Sequence, residues 1–172
     1  MGSMKIINST ISDIEAIFKL YEIATSFQKK KFPDNQWPIF SRALVETEIK
    51  ENRQWKLLIN GQIACIWAIT FSDPQIWEDS NDDLAIYIHR IATNPNYRGQ
   101  NFVSIIVEWA KSYSTDRQIS YIRMDTCGNN HKLIAHYTKC GFDFMGMTKL
   151  KNTNALPSHY IDADVCLFEI KM

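Results

Sequence analysis

Hydrophobic positions along the chain follow two periods, one of about two residues and one of about 3.6, and these periods divide the sequence into strands and helices. Alternation and short apolar runs predict strands at 5–8, 54–59, 62–71, 84–93, 119–125, 142–148 and 164–171. The longer period predicts helices at 12–31, 39–51, 101–114 and 130–140. This order of elements indicates an α/β (α+β mixed) fold, a mixed sheet with helices on its faces.

Local signals mark where several of these elements begin and end. Ser12 and Glu15 have the spacing of a capping box at the start of the first helix. Asn60-Gly61, between two apolar runs, is typical of a type I′ hairpin turn, which needs positive φ at both central residues. Gly141 stands where a left-handed residue would end the last helix.

Composition and charge restrict the class of protein. A chain of 172 residues with 45% hydrophobic residues is long enough for a buried core and too apolar for intrinsic disorder. Its 19 basic residues balance its 19 acidic residues, which argues against a protein whose main ligand is nucleic acid or an anionic membrane. We expect one domain over residues 4–172, with residues 1–3 as a cloning remnant.

The four cysteines bear on the compartment of the protein and on the possibility of a metal site. No signal peptide or apolar run of membrane-spanning length is apparent, so the four cysteines are expected to be reduced thiols of a cytoplasmic protein. Cys127, His131, His136 and Cys140 invite a zinc interpretation. Residues 131 and 136 are five apart, about 140° around a helix, and do not converge, so no metal site is expected.

The turn after the fourth strand is a candidate anion site. A strand that leads through a turn into a helix directs the free N–H groups of the first helical turn at a ligand. The turn contains Arg98, Gly99, Gln100 and Asn101. Gly99 permits close approach of the backbone, Asn101 tolerates the left-handed conformation, and Arg98 offers a guanidinium to a phosphate. An ordinary turn with a surface arginine is the alternative.

A second segment favours the phosphate interpretation. It follows a strand and reads Asn130-x6-Tyr137-x3-Gly141-Phe142. With the Arg98 turn, it resembles the GNAT-type acyl-CoA N-acyltransferases, whose pyrophosphate loop reads Arg/Gln-x-x-Gly-x-Gly/Ala and whose later segment reads Asn-x6-Tyr-x3-Gly-Phe. The order of elements is similar over about residues 5–171. Asn101 and Val103 stand where the loop of the family has small residues.

The resemblance implies a fold and an activity. The fold is a mixed, mostly antiparallel sheet of six to seven strands flanked by about four helices. The activity is transfer of an acetyl group from acetyl-CoA to a primary amine of a small molecule, peptide or protein, by direct attack and without a metal. The implied partners are the co-substrate and the amine, with no nucleic acid and no membrane, for a monomer or homodimer.

The resemblance also implies which residues bind acetyl-CoA. The oxyanion and the pantetheine amide would meet main-chain groups of the fourth strand, and the pyrophosphate would meet the following turn. The implied set is Ile91, Ala92, Thr93, Arg98, Gly99, Gln100, Asn101, Phe102, Val103, Asn130 and Tyr137. For Asn130, a helix N-cap is the alternative role.

Two side chains are candidates for proton transfer. The resemblance implies that Tyr137 protonates the departing thiolate; its alternative role is a core aromatic, which is compatible with the first. His89 lies on the fourth strand, where alternation places residues 87, 89, 91 and 93 on one face, and some members of the family have a histidine there. A histidine near pKa 6.5 suits a general base, although a core histidine, Asp83, Glu78 or water are alternatives.

Two loops are expected to affect the choice of amine. Residues 72–83 carry five acidic side chains around Trp77, and this segment is either a solvated loop or the wall of a site for a cationic amine. Residues 149–163, with His159 and Tyr160, form a long connection that is either exposed or lines the same pocket. A catalytically silent acyl-CoA-binding sensor or interaction module of the same fold is the alternative function, and Asn101 and Val103 favour it.

Overall fold

The computed structural model of the protein describes residues 3–31, 33 and 36–172. Within these residues the strands are β1 Met4–Asn8, β2 Gln54–Ile59, β3 Gln62–Thr70, β4 Ala85–Thr93, β5 Tyr121–Cys127, β6 Asp143–Lys149 and β7 Asp164–Lys171. The helices are α1 Ile14–Lys31, α2 Arg42–Lys50, α3 Pro74–Trp77, α4 Phe102–Asp116 and α5 His131–Lys139. The start of the chain that was interpreted as a cloning remnant lies outside the described residues, apart from residue 3.

The strands form one seven-stranded sheet in the order β1-β2-β3-β4-β5-β7-β6. β1 with β2, β2 with β3, β5 with β7 and β6 with β7 pair antiparallel, and β4 with β5 pairs in parallel, which confirms the predicted mixed and mostly antiparallel sheet. None of the described helices combines the length and the apolar character that a membrane span requires.

The chain divides into two compact units, and the division falls inside β4. The first unit contains Met1–Ile69 and His89–Gln100, and the second contains Thr70–Ile88 and Asn101–Met172. The expectation that residues 4–172 form one domain stays a prediction.

The first unit is an antiparallel β1-β2-β3 sheet covered by α1 and α2. Asn60 and Gly61 have φ values of 52° and 78°, which confirms the predicted turn between β2 and β3. Its core contains apolar side chains from both helices, from β3 and from β4. The helix start differs from the prediction, because Thr10 rather than Ser12 makes the reciprocal contact: its backbone N–H donates to Asp13 Oδ2 at 2.7 Å.

The second unit is built on β5 and β7. These two strands pair antiparallel over seven residues, and β6 pairs with the other side of β7. Residues 85–87 of β4 pair in parallel with residues 121–123 of β5. The acidic segment 72–83, predicted as a loop, instead contains α3 and a 3-10 turn, Glu78–Asp82. Pro74 at the first helical turn and burial of Ile76 and Trp77 explain this difference.

Candidate functional site

The turn before α4 has the backbone shape that anion binding requires. Gly99 has a φ of 82°, and Asn101 lies in the left-handed region with a φ of 51° and a ψ of 51°. No side chain caps α4, so its first-turn N–H groups are not occupied by the N-cap residue. A Cβ added at Gly99 would meet no atom within 4 Å, so the glycine is required by conformation rather than by space.

Asn101 is fixed in this conformation by its own side chain. Its Nδ2 donates to Ser104 Oγ at 2.7 Å, and the Cys140 thiol donates to its Oδ1 at 3.5 Å. Cys140 ends α5, which carries Tyr137. Asn101 stands where the family has a glycine, and it does more than adopt the conformation that the turn requires. Its side chain links the start of α4 to the end of α5. No motif in the sequence predicts this contact, because the two residues are 39 positions apart.

The side chains of the turn divide into exposed and buried groups. Arg98 is exposed, and its guanidinium lies 5.1 Å from the centroid of the Phe27 ring. Gln100 is exposed as well, whereas the side chain of Phe102 is buried in the core and leaves only its main chain for a ligand. Val103 is partly buried. The turn thus offers main-chain N–H groups and one stacked guanidinium to an anion.

The helix α5 carries two predicted site residues in different environments. Asn130 caps the helix, since its Oδ1 accepts the N–H of Leu133 at 3.2 Å; this confirms the alternative structural role. Tyr137 is partly buried, with ring centroids 5.1 Å from Phe168 and 6.3 Å from Phe142 in edge-to-face contact. Burial raises the pKa of the Tyr137 phenol. Within the described residues its hydroxyl has no hydrogen-bond partner, so it is available to a ligand.

The strand β4 is distorted beside His89. Arg90 has a φ of 52°, a left-handed conformation that β-strand residues rarely adopt, so the regular alternation predicted for residues 87–93 is interrupted. The Arg90 guanidinium forms an ion pair with the buried Glu48 and lies 4.8 Å from the Phe40 ring centroid. A buried ion pair from α2 therefore holds the distorted strand. Pattern analysis had no signal for this pair.

The remaining predicted residues of β4 lie in the same unit as His89. Ile91 is partly buried, and Ala92 packs in the core beneath α1 and α2. The Thr93 hydroxyl lies 3.7 Å from Cys65 Sγ. Because burial raises the pKa of the Cys65 thiol to about 12, this thiol stays protonated at neutral pH and is not a nucleophile.

The other cysteines agree with the expectation of free thiols. All four cysteines are free, and Cys65, Cys140 and Cys166 are buried. Burial raises the pKa of Cys127 to about 12 as well. Burial raises the pKa of Cys166 too, so Cys65, Cys127 and Cys166 stay protonated at neutral pH and are not nucleophiles.

The guanidinium of Arg123 binds the acidic segment 72–83 to β7. It donates to Asp83 Oδ2 at 2.5 Å, to Glu169 Oε2 at 2.7 Å and to the Ser80 carbonyl at 2.6 Å. The same group lies between two rings, 4.6 Å from the Trp77 centroid and 4.5 Å from the Tyr121 centroid. No pattern in the sequence marks this arginine, because its importance follows only from the elements that converge on it.

This arrangement affects the two carboxylates considered as bases. Asp83 pairs with Arg123, and Glu78 pairs with Lys151 at 3.0 Å. Both side chains therefore have a structural role in the acidic segment.

The 149–163 connection is fixed to the second unit by a tyrosine. Tyr160 is buried, and its hydroxyl donates to Asp125 Oδ2 at 2.7 Å. Its ring belongs to a core cluster with Trp77, Tyr87 and Val165. Burial raises the pKa of this phenol. Tyr160 is thus a core residue. The long connection is therefore not exposed at this position.

The first unit contains a cavity between α1 and residues 36–40, with a volume of about 630 Å³. Its wall combines aromatic rings, aliphatic groups and both signs of charge, among them Glu15, Phe18, Glu22, Lys29 and Phe40. A cavity of this size and mixed polarity is suited to a small organic molecule or a short peptide segment.

Comparisons with known proteins agree on one family. The model of the Acetyltransferase (GNAT) family matches residues 16–142. The streptothricin acetyltransferase of Escherichia coli is 35% identical over 66 residues, which are 38% of this chain and 37% of that protein. The chain aligns with only about two fifths of the length of the curated relatives that it matches.

Solved structures show the same fold over nearly the whole chain. A GNAT family acetyltransferase from Listeria monocytogenes has a TM-score of 0.75 at 21% identity, covering 98% of this chain and 95% of that one. YncA, a putative acetyltransferase from Salmonella typhimurium whose structure contains its cofactor acetyl-CoA, has a TM-score of 0.69 at 10% identity, covering 98% and 93%. Since the family pattern extends over more than half of the chain and the fold agrees from end to end, the protein belongs to the GNAT family of acetyltransferases.

Proposed function

We propose that the protein is an N-acetyltransferase that transfers the acetyl group of acetyl-CoA to a primary amine of a small molecule, peptide or protein. The observation that carries this proposal is the uncapped start of α4, preceded by Gly99 and Asn101 at positive φ, in a chain of the GNAT family. We further propose that it acts in the cytoplasm as a single domain over residues 4–172; the free cysteines support that compartment.

The start of α4 is proposed to bind the pyrophosphate of acetyl-CoA. Main-chain N–H groups near Gly99, Gln100, Phe102 and Val103 would donate to the phosphate oxygens, and the helix dipole would favour their charge. Arg98, exposed beside this turn, would add a cationic partner. The pantetheine amide and the developing oxyanion are assigned to main-chain groups at Ile91, Ala92 and Thr93.

The proposed reaction is a direct attack that needs no metal. The amine nitrogen forms a bond to the acetyl carbon, the carbon–sulfur bond breaks, and the electron pair of that bond leaves on sulfur as a thiolate. The ammonium proton of the acceptor goes to a base before the attack, and Tyr137 supplies a proton to the departing thiolate. The second proton of the attacking nitrogen, which is lost once the nitrogen–carbon bond has formed, restores the Tyr137 hydroxyl. Because burial raises the pKa of Tyr137, its hydroxyl stays protonated at the pH at which the enzyme works.

His89 is the proposed base. The two carboxylates considered beside it, Asp83 and Glu78, are each held in an ion pair, whereas His89 lies partly buried on β4, the strand that carries the proposed main-chain groups for the oxyanion.

The role of His89 is tested by the pH dependence of kcat/KM. His89→Ala is expected to remove the acidic limb of this profile, because the proposed base is lost, and to lower the rate about 100-fold. The matched control is His131→Ala, at the exposed start of α5, which should keep the acidic limb. An unchanged profile for His89→Ala would assign the proton to water.

The proposed activity is tested by release of coenzyme A thiol from acetyl-CoA with a panel of amines, together with the melting temperature in coenzyme A. Turnover with at least one amine, and a rise in melting temperature with coenzyme A, are expected. Arg98→Ala is expected to weaken coenzyme A binding about tenfold. Arg117→Ala is the matched control, because Arg117 is also exposed and stacks on a ring, that of Tyr113, at the other end of α4.

Three outcomes separate the hypotheses. A melting temperature that coenzyme A does not change would show that the protein does not bind this coenzyme, which contradicts the proposal. Binding of coenzyme A without turnover on any amine would favour the silent sensor over the enzyme. If Arg98→Ala and Arg117→Ala change the affinity for coenzyme A equally, Arg98 is not part of the binding site.

A further inference from the structure

Arg90 combines two features that cost free energy in a strand. Its φ of 52° lies in the left-handed region, which a residue with a Cβ atom adopts only under strain. Its charged side chain is also largely removed from water, since it is only 11% exposed. Neither feature stabilises the fold by itself, and backbone strain of this kind is concentrated at functional sites.

The side chain of Arg90 is held by neighbours outside β4. Its Nη2 pairs with Oε1 of Glu48 on α2, and Glu48 is itself buried. The guanidinium also lies 4.8 Å from the ring centroid of Phe40 and 5.6 Å from that of Tyr21. All four residues belong to the first unit. The backbone of Arg90 thus belongs to the sheet, whereas its side chain is fixed by α1, α2 and the residue before the cap of α2.

The ion pair is not the arrangement that would give the greatest stability. Among the described residues, Arg90 Nε and Glu48 Oε2 are both buried without a hydrogen-bond partner. A bidentate pair, in which Nε and Nη2 each donate to one carboxylate oxygen, would satisfy both atoms at once. A buried pair that leaves two polar atoms unsatisfied stabilises the fold less, so stability alone does not account for it.

The distortion at Arg90 lies between two residues that the proposed function uses. His89, the proposed base, precedes it, and Ile91, whose main chain is assigned to the pantetheine amide and the oxyanion, follows it. A left-handed residue between extended neighbours turns the adjacent peptide groups away from the directions of a regular ladder and re-aims the neighbouring side chain. The conformation of Arg90 therefore determines the direction of the His89 side chain and of the Ile91 N–H.

We propose that Arg90 and Glu48 are positioning residues for acetyl transfer, and that their ion pair holds β4 in the distorted form that directs His89 and the main chain of Ile91. Because the positioned groups are those assigned to acetyl-CoA and to the proton, this role rests on the proposed function. Neither residue touches the reacting atoms in this role. Glu48 acts through Arg90, and Arg90 acts through its backbone conformation.

Glycine at position 90 separates positioning from packing. Arg90→Ala and Arg90→Gly both remove the ion pair and the ring contacts, but glycine adopts a φ near 52° without strain. Arg90→Ala is expected to raise the dissociation constant of coenzyme A about tenfold and to lower kcat about tenfold, because the strand relaxes toward regular geometry. Arg90→Gly should stay within about threefold of the wild type in both quantities. A packing role alone predicts the opposite order, because glycine weakens a strand more than alanine does.

Glu48→Gln tests the same role with Arg90 in place. The amide carries no charge to hold the guanidinium, so the dissociation constant of coenzyme A should rise about fivefold. In the Arg90→Gly background the same substitution should change that constant by less than about twofold, because glycine no longer depends on the pair. Glu46→Gln is the matched control and should leave the constant unchanged, since Glu46 is also on α2 but pairs with Arg42 at the exposed surface.

A second control separates the backbone conformation from its location. Gln118, in the turn after α4, is exposed and has a φ of 56°. Gln118→Gly should melt at a higher temperature than Gln118→Ala, because glycine again accepts the positive φ. Both variants should keep the wild-type dissociation constant for coenzyme A. Calorimetric titration with coenzyme A gives the dissociation constants, kinetics with an amine that supports turnover gives kcat, and melting temperatures show that each variant is folded.

The results that contradict the two proposals differ. A wild type that does not bind coenzyme A contradicts the proposed function, and the positioning role with it, before any variant is compared. If the wild type binds coenzyme A and Arg90→Gly binds it as weakly as Arg90→Ala, the positioning role alone is overturned. Additive effects of Glu48→Gln and Arg90→Gly would overturn it as well. If Arg90→Gly is unfolded, an unchanged affinity in Glu48→Gln has the same consequence.

Discussion

Replacing Tyr137 by phenylalanine is expected to lower kcat about 100-fold while the KM for acetyl-CoA changes by less than about threefold. The substitution keeps the ring in its edge-to-face contacts with Phe142 and Phe168, so the fold and the binding of coenzyme A should persist. What is lost is the hydroxyl that we propose as the proton donor to the departing thiolate. Steady-state kinetics with acetyl-CoA as the varied substrate measures both parameters.

The matched control for this variant is Tyr113→Phe, which removes a phenol from α4 without touching the proposed proton transfer. Its kcat should stay near the wild-type value. If Tyr137→Phe retains full kcat, the thiolate takes its proton from water and the assignment of Tyr137 is wrong.

The raised pKa of Tyr137 has a second consequence that is independent of activity. Its folded-state pKa lies above the unfolded value of about 10, so its contribution to stability is complete below that pH and is lost as the pH rises beyond it. The wild type should therefore lose stability more steeply above about pH 10 than Tyr137→Phe, as measured by urea unfolding at a series of pH values.

Arg123→Ala is expected to lower the free energy of unfolding by about 3–5 kcal/mol, the largest stability effect we anticipate. The Arg123 side chain is 2% exposed and satisfies two carboxylates, a backbone carbonyl and two aromatic faces at once. Its removal leaves Glu169, which is 16% exposed, without its cation in a poorly hydrated place. Urea unfolding followed by tryptophan fluorescence measures the change.

Variants of the partners of Arg123 and of an exposed arginine test whether the loss of unfolding free energy increases with burial of the charged pair. Glu169→Gln should cost more than Asp83→Asn, because the Asp83 side chain is 41% exposed and water replaces its partner. Arg42→Ala breaks exposed pairs with Glu15 and Glu46 and should cost far less than Arg123→Ala, because water replaces the lost partners. Equal losses for Arg123→Ala and Arg42→Ala would show that the buried network is not a major source of stability.

The residues that sequence analysis identified correctly share one property, which is that their conformation is set by neighbours in the chain. Asn60-Gly61 forms its turn because both residues accept positive φ, and Asn101 adopts the left-handed conformation for the same reason. Asn130 caps α5 through a contact three residues away. The periods of hydrophobic residues predicted the strands and the longer helices because each element buries one face.

The predictions that were wrong concern segments whose conformation is set by residues distant in the chain. The acidic segment 72–83 was predicted as a loop, yet it contains α3, because Ile76 and Trp77 pack into a core whose other members come from β4, β7 and the 149–163 connection. Regular alternation was predicted for β4, yet Arg90 interrupts it, because the ion pair with Glu48 and the ring of Phe40 draw its side chain toward α2.

The sequence by itself therefore determined the order of the strands and of the longer helices, the turn before α4, the cap of α5 and the family. Each of these depends on interactions between residues close in the chain or on motifs that can be read from the linear sequence. The tertiary structure alone decided that Cys140 holds Asn101, that Arg123 gathers Asp83 and Glu169, that Glu48 fixes Arg90, and that β6 lies at an open edge. In each of these cases the partners are about 40 or more residues apart, or belong to strands whose neighbours only the folded sheet defines. Their energies come from burial of charge and from packing, which no local pattern of residues records.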